Sequence, residues 1–330
     1  MGVTVQSPPT SSPRPAWAQR WMYPLALTTL AVNILIVVTG GVVRLTASGL
    51  GCPTWPRCTD QSFVPHGALG WHGAIEFGNR MVTFLLAAVA IATFVAAWQY
   101  GRRSLVRLAF VIGLGVPAQA VIGGITVLTD LNPWVVAFHL LVSMAMIQVA
   151  VVLLRRLREG DGPALATVPS GVTWLVRTTF VVGWVVLYLG TIVTGSGPHA
   201  GDLDAPRNGL DPAALSQLHT DAVFLLLGLT VGALLALRAV DAPARAVRAA
   251  AVLLGLELGQ GLVGFVQYFT GLPVVLVGLH LLGSALVAAA LAWLLVGVRD
   301  RTDAPDAPDA PSEDAAARLG GASAPQSSGG

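Results

Sequence analysis

Two stretches of the chain, QAVIGGITVLTDLNPWVVAFHLLVS (119–143) and QGLVGFVQYFTGLPVVLVGLHLLGS (260–284), decide how the rest is read. Each opens on Gln, has Gly four residues on, passes a Pro and ends in His-Leu-Leu, so His139 follows Gln119 by the same twenty residues that separate His280 from Gln260. Self-similarity of this kind is the signature of an internal duplication. Both segments are strongly apolar, and an ionisable residue is expensive inside a bilayer. A neutral imidazole in an apolar helix bundle suits heme iron as an axial ligand. The reading is a duplicated membrane protein with a heme or metal site in each half.

Composition agrees. Hydrophobic residues make up 54% of the 330 and charged residues 11%, with a mean hydropathy of +0.71; a soluble domain carries roughly a quarter charged residues. Crossing an apolar layer of about 30 Å takes roughly 20 helical residues. Eight stretches are long enough, near 22–43, 74–98, 107–128, 134–154, 174–194, 216–238, 248–268 and 273–297. Helices are expected because an open sheet leaves its edges unpaired in lipid. The fold class is therefore an all-α integral membrane protein, eight transmembrane helices in two tandem four-helix bundles.

All nineteen basic residues are Arg. Arg14, Arg20, Arg102, Arg103, Arg107, Arg155, Arg156, Arg158, Arg177, Arg238, Arg245, Arg248, Arg299 and Arg301 fall on one side of the spans, against Arg44, Arg57 and Arg207 on the other. The positive-inside rule then puts both termini in the cytoplasm of a multi-pass cell-membrane protein. A net charge of +2 gives no reason to expect nucleic acid. Residues 1–21 read as a flexible segment, 22–154 and 174–297 as the two halves, 155–173 as a cytoplasmic linker and 298–330 as a disordered tail, from its Asp, Ala, Pro and Ser content.

The only two cysteines, Cys52 and Cys58, lie in the first outer loop. On that oxidising side a disulfide persists; a structural staple, two free thiols and a redox-active pair all stay open. Their spacing matches no zinc pattern.

His139 and His280 enter the outer parts of spans four and eight, and His219 opens span six. A His219–His280 pair would bring two imidazoles from alternate helices to one iron, as in a low-spin b-type site. His66 and His199 read as loop residues with local roles. In the first half, Asn79 stands opposite His219, and Glu76 lies one turn before it. His72, Glu76 and Asn79 share a helix face if span two reaches back to His72. Arg80 is within reach of an acidic group such as a heme propionate. Gln119, Gln260, Asn33 and Glu257 need polar partners inside the spans; helix–helix hydrogen bonding is the default for Gln119 and Gln260, and Glu257 reads as a buried structural pair, with a proton or electron path the alternative. Gly124, Gly190, Gly195, Gly261 and Gly264 allow close helix approach or clearance for a flat macrocycle.

The stretch GGVVRLTASGLGCPTWPRC (40–58), the EFGNR that begins at Glu76, and histidines in spans four, six and eight resemble the heme A synthase family of bacteria and mitochondria, over about residues 20–300. That resemblance implies oxidation of a porphyrin methyl group of heme O to a formyl group, by successive hydroxylations, to supply heme A for terminal oxidase assembly. It implies heme b iron on His219 and His280, substrate heme O on His139, Glu76 as the catalytic carboxylate and a Cys52–Cys58 disulfide. It also implies a heme O synthase and an electron donor as partners, and leaves the oligomeric state open. Two departures stand out. Asn79 occupies the place where the family commonly has the His of Glu-x-x-His-Arg, and the loop after span five lacks a second cysteine pair. Heme on His139 would be five-coordinate, or would take His72 as its sixth ligand. The alternative function is a non-catalytic di-heme electron carrier or heme-handling assembly factor.

Overall fold

The structure, a computed structural model, describes residues 15–301. Eight helices are long and apolar enough to cross a membrane: α1 Ala16–Leu45, α2 Gly70–Tyr100, α3 Arg103–Leu128, α4 Pro133–Arg156, α5 Ser170–Ser196, α6 Pro212–Ala239, α7 Ala244–Phe269 and α8 Val274–Gly297. Most run several residues past the apolar stretches, because local chemistry rather than lipid sets their ends. Pro133 and Pro212 open α4 and α6, with the Asn132 and Asp211 side chains accepting from the backbone N–H groups of Trp134 and Ala213. Gly101 closes α2 in the left-handed conformation.

Helices α1 to α4 pack in a ring, each on its chain neighbour and α1 on α4; α5 to α8 form a second ring closed by α5 on α8. The rings meet where α4 packs on α5 and α8, and α1 on α8. The matched sequence stretches have matched turns. The Thr129 and Thr270 hydroxyls donate to Ile125 O (2.7 Å) and Val266 O (2.6 Å). Asp130 and Leu131 in one turn, Gly271 and Leu272 in the other, take positive φ. The Leu131 and Leu272 N–H groups reach back to Thr126 O and Gln267 O.

Large apolar side chains such as Phe84, Ile91 and Leu262 project outward, as lipid-facing surfaces require. Each ring has its own core, one around Met22, Leu105, Ile112 and Leu153, the other around Leu226, Leu237, Leu253 and Leu291. A third cluster, including Met144, Ile147, Ala285 and Ala288, fills the seam between them. Polar groups inside find protein partners: Thr29 pairs with Thr93 at 2.8 Å, and Asn33 donates to Thr29 O. Gln119 donates to Ser143 Oγ and His139 O, the expected helix–helix bond, whereas Gln260 lies on Gly283, leaving no room there for a Cβ.

Two expected boundaries move. Residues 16–21, expected to be flexible, are the first turns of α1, because an apolar and aromatic face (Trp17, Ala18, Trp21, Met22) continues the helical pattern. Residues 299–301, expected to be disordered, form strand β2 antiparallel to β1 (Ala164–Ala166) in the linker. The strand holds because Asp300 between Arg299 and Arg301 accepts from Arg155 (3.3 Å) and Arg245 (3.0 Å), while Arg301 donates to Gly162 O. Both are three residues long, too short for any periodic signal. The remainder of the expected N-terminal segment (1–14) and tail (302–330) lies outside the described residues.

Gln148 bridges the seam. Its amide donates to Ala288 O (3.2 Å), and its carbonyl accepts from the Trp184 indole (3.1 Å). Gln148→Leu leaves that indole N–H without its acceptor, and interhelical bonds in membranes are worth about 0.6 kcal/mol on average and up to about 1.7. A double-mutant cycle with Trp184→Phe, read by thermal unfolding in detergent, should return a coupling energy within that range.

Candidate functional site

The imidazoles of His139, His219 and His280 are each half-buried, with Nδ1 fully buried and without a hydrogen bond of good geometry, although the Val186 carbonyl of α5 lies against the His219 ring. Such under-satisfied groups are uncommon in folded proteins. Each ring presents its Cε1 edge to a glycine of the preceding helix: a Cβ on Gly123 would sit 3.3 Å from His139, on Gly190 3.2 Å from His219, and on Gly264 3.6 Å from His280. Larger residues at Gly123 and Gly190 would crowd the rings. His219 and His280 stand on alternate helices of one ring, near enough to interact electrostatically. Among the described residues no group of three or more His, Cys, Asp and Glu converges as a bare metal site would need. Imidazoles with lone pairs unspent on the protein, one or two per half, fit the axial positions of a macrocycle-held iron.

The first half is built differently. Cys52 and Cys58 are joined, and their loop is strapped onto α2. Glu76, 5% exposed, accepts the Cys52 N–H on Oε2 and Arg80 on Oε1 at 2.6 Å. Arg80 also donates to the carbonyls of Cys52 (3.2 Å), Thr54 (3.0 Å) and Arg57 (3.1 Å). Arg80, expected from the sequence to lie within reach of a heme propionate, thus has Nε, Nη1 and Nη2 each bonded to a protein group.

The loop then seats the Trp55 indole on Gly124 of α3, where even a Cβ would overlap the ring. Gly124 adjoins Gly123, which faces His139, so Trp55 and His139 lie against consecutive residues of one helix. Helix α2 does reach back to His72, whose Nδ1 is 3.0 Å from Ser48 Oγ and whose ring lies 3.8 Å from that of Trp71. Asn79 accepts from Thr39 Oγ1 at 2.7 Å. His72, the one imidazole offered as a sixth ligand, and Asn79, which stands where the family commonly has a histidine, therefore both have protein partners.

Of the other polar residues singled out, His199 is 3.0 Å from Leu272 O through Nε2, and His66 is an exposed loop residue. Glu257 accepts from Thr230 at 2.8 Å, with its second oxygen buried and unpartnered. Gly195 faces Asn208 and Pro133, and Gly261 has open space. Sequence reasoning missed Trp55 and the Glu76–Cys52 bond; the adjacent Gly123-Gly124 pair was the one signal that two bulky groups approach α3 there.

Residues 23–201 match the family described as cytochrome oxidase assembly protein, COX15-CtaA. The chain belongs to this family. Its relatives include a protein named heme A synthase from Geobacillus thermodenitrificans, 32% identical over 137 residues, 41% of this chain and 42% of that one. Proteins of the same name from Lysinibacillus sphaericus and Bacillus cereus (strain AH187) are 33% identical over 124 residues (35% and 39% of the two chains) and 26% over 208 (61% and 66%). The matched part thus spans only about two fifths of the first of these relatives. The match to the cytochrome oxidase assembly family takes in most of α1 and all of α2 to α5, with Glu76, Arg80, the disulfide and His139; His219 and His280 lie beyond it.

The Glu76–Arg80 clamp makes the disulfide loop's closure measurable. Charge-assisted hydrogen bonds contribute about 1.5–3 kcal/mol each. Glu76→Ala or Arg80→Ala should therefore raise the rate at which a water-soluble phosphine opens the Cys52–Cys58 bond by about tenfold or more. Asn79→Ala, which does not touch the loop's clamp, should leave that rate unchanged.

Proposed function

We propose that this chain is a heme A synthase, an integral membrane oxidoreductase. It converts heme O to heme A by oxidising one porphyrin methyl to a formyl group through successive hydroxylations, the geminal diol then losing water. The observation that carries this reading is the set of three imidazoles whose buried Nδ1 atoms lack a hydrogen bond of good geometry, each facing a glycine, in a member of the cytochrome oxidase assembly family. The relatives named heme A synthase support the same conclusion.

In this reading the two halves descend from one duplicated four-helix unit and divide the labour. The matched turns after α3 and α7 support the duplication. His219 and His280 hold a permanent heme b through its iron, and His139 binds the iron of heme O. The bound hemes supply the electron transfer and oxygen chemistry. The protein's part is orientation and exclusion of water: Gly123 lets the His139 ring lie close to α3, and Trp55 walls the same site from the outer loop.

Glu76 remains the carboxylate assigned to catalysis. In the closed loop both its oxygens accept hydrogen bonds, so it takes up a proton near the reacting methyl only when the Cys52 strap lifts. Asn79, bonded to Thr39, would supply no imidazole to a heme held by His139. The arginine-rich end faces the cytoplasm with both termini, and the disulfide loop faces outward. A heme O synthase supplies the substrate; each hydroxylation inserts one oxygen atom of dioxygen into a C–H bond, the other atom leaving as water with two protons and two electrons from a separate donor.

Membranes expressing the chain with a heme O supply should yield hydroxylated heme and heme A on chromatography of extracted pigments. His219→Ala and His280→Ala should each abolish the low-spin b-type spectrum, whereas His139→Ala should keep it and end product formation. Equal loss of heme b in all three variants would remove the division between halves. Full conversion by Glu76→Gln would reduce that carboxylate to a latch.

A further inference from the structure

Arg44, in the last turn of α1, is a cation without a carboxylate partner. Its Nη2 donates to Thr194 O at 2.8 Å, but its Nε is fully buried with no acceptor. The loop that carries Arg207 packs against it, a Cβ on Gly201 standing 3.9 Å from Arg44 Cα and Cγ, so the charge this loop brings toward Arg44 includes a second cation, Arg207. Arg207 donates only to the carbonyls of Ala205 (2.5 Å) and Pro198 (2.8 Å). Among the described residues no Asp or Glu makes an ion pair with either arginine. Part of this charge is answered by the carbonyl end of α5, where a cation is favoured. That answers one donor and leaves the buried Nε and the mutual repulsion. A guanidinium desolvated beside a second cation is costly unless an anion completes the set.

The position of the pair says which anion. Thr194 lies one helical turn beyond Gly190, the residue facing His219. Leu45, next to Arg44, is 3.5 Å from where a Cβ of Gly278 would stand, two residues before His280 on α8. The outer end of α1 therefore reaches across the seam to the rim of the second-half site, above both histidines.

We infer that Arg44, assisted by Arg207, forms an anion site at this rim that takes a carboxylate of the tetrapyrrole held by His219 and His280. The inference rests on the heme reading given above. It assigns to the second-half site a residue donated by the first half, and it is distinct from the Arg80 cluster, which is satisfied by protein groups.

Optical titration of apoprotein decides it, in a His139→Ala background so that one site is read. The probes are iron protoporphyrin with free propionates and its dimethyl ester, which keeps the iron and ring but lacks the anions. Without Arg44→Ala, esterification should weaken binding roughly 10- to 100-fold, the range of a charge-assisted hydrogen bond. With Arg44→Ala the free-acid heme should weaken by a similar factor, and the penalty for esterification should fall below about threefold. Arg44→Lys should recover part of the difference, as a point charge lacking the planar fork. Arg207→Ala, on a loop outside the helix contacts, should reduce the penalty in the same direction and decides the matter if Arg44→Ala fails to fold. An esterification penalty unchanged in these variants would overturn the proposal and leave Arg44 a clamp on the end of α5. Binding of neither heme by the parent protein would instead overturn the heme reading, and this inference with it.

Discussion

Lipid offers no hydrogen bonds, and that constraint orders everything else in this molecule. Backbone groups are satisfied within eight helices, and polar side chains inside the bundle reach for one another or for carbonyls: Thr29 for Thr93, Gln119 for Ser143, Gln148 for Trp184. Against that background an unmet polar atom carries information. Among the described residues, buried nitrogens of His139, His219, His280 and Arg44 are unmet, as are single oxygens of Gln119, Gln267, Glu257 and Thr167; of these the three imidazoles and the guanidinium are the groups that can meet an iron or an anion. By the same reasoning Glu76, with both oxygens engaged, is part of the framework in the state seen here, although its residue type and depth invite a catalytic reading.

The two halves solve one packing problem in different ways. In both, a histidine-bearing helix lies against a glycine of its predecessor, which brings the ring close to the backbone. The second half sets His219 and His280 on alternate helices of its ring. The first sets against His139 a loop stiffened by a disulfide, strapped to α2 and carrying an indole into α3. Symmetry in the helices and asymmetry in the loops is the arrangement expected where one site holds its occupant and the other must admit and release it.

Much of this was legible in the sequence because hydropathy and repeat register are local properties. The eight spans and the Gly-to-His register of 123 and 139 against 264 and 280 follow from spacing along single elements, whereas the start of α2 at Gly70, ahead of its apolar stretch, left the place of His72 on that helix conditional. What was not legible depends on where a loop travels. The Cys52 amide meets Glu76 across 24 residues of chain, and nothing periodic in that stretch fixes its path. The bonds from Arg80 to the loop carbonyls were not legible either, because backbone acceptors leave no mark in composition. The β1–β2 pair was invisible because three-residue strands among charged side chains look like linker and tail.

That strand pair has a bearing on how the protein is made. β2 follows α8, so β1 stays an open edge until the last helix has been synthesised, with Arg155 and Arg245 still lacking Asp300. α8 likewise supplies the packing partner shared by α1, α4 and α5. The first ring can close on its own while the ribosome is still at work; the seam and the arginine-rich face cannot. A nascent chain halted before Asp300 therefore differs chemically at that face from a finished one. Arg155 keeps its ion pair with Glu159 at 2.7 Å, so among the described residues the charge left without a carboxylate beside the unpaired strand is that of Arg245.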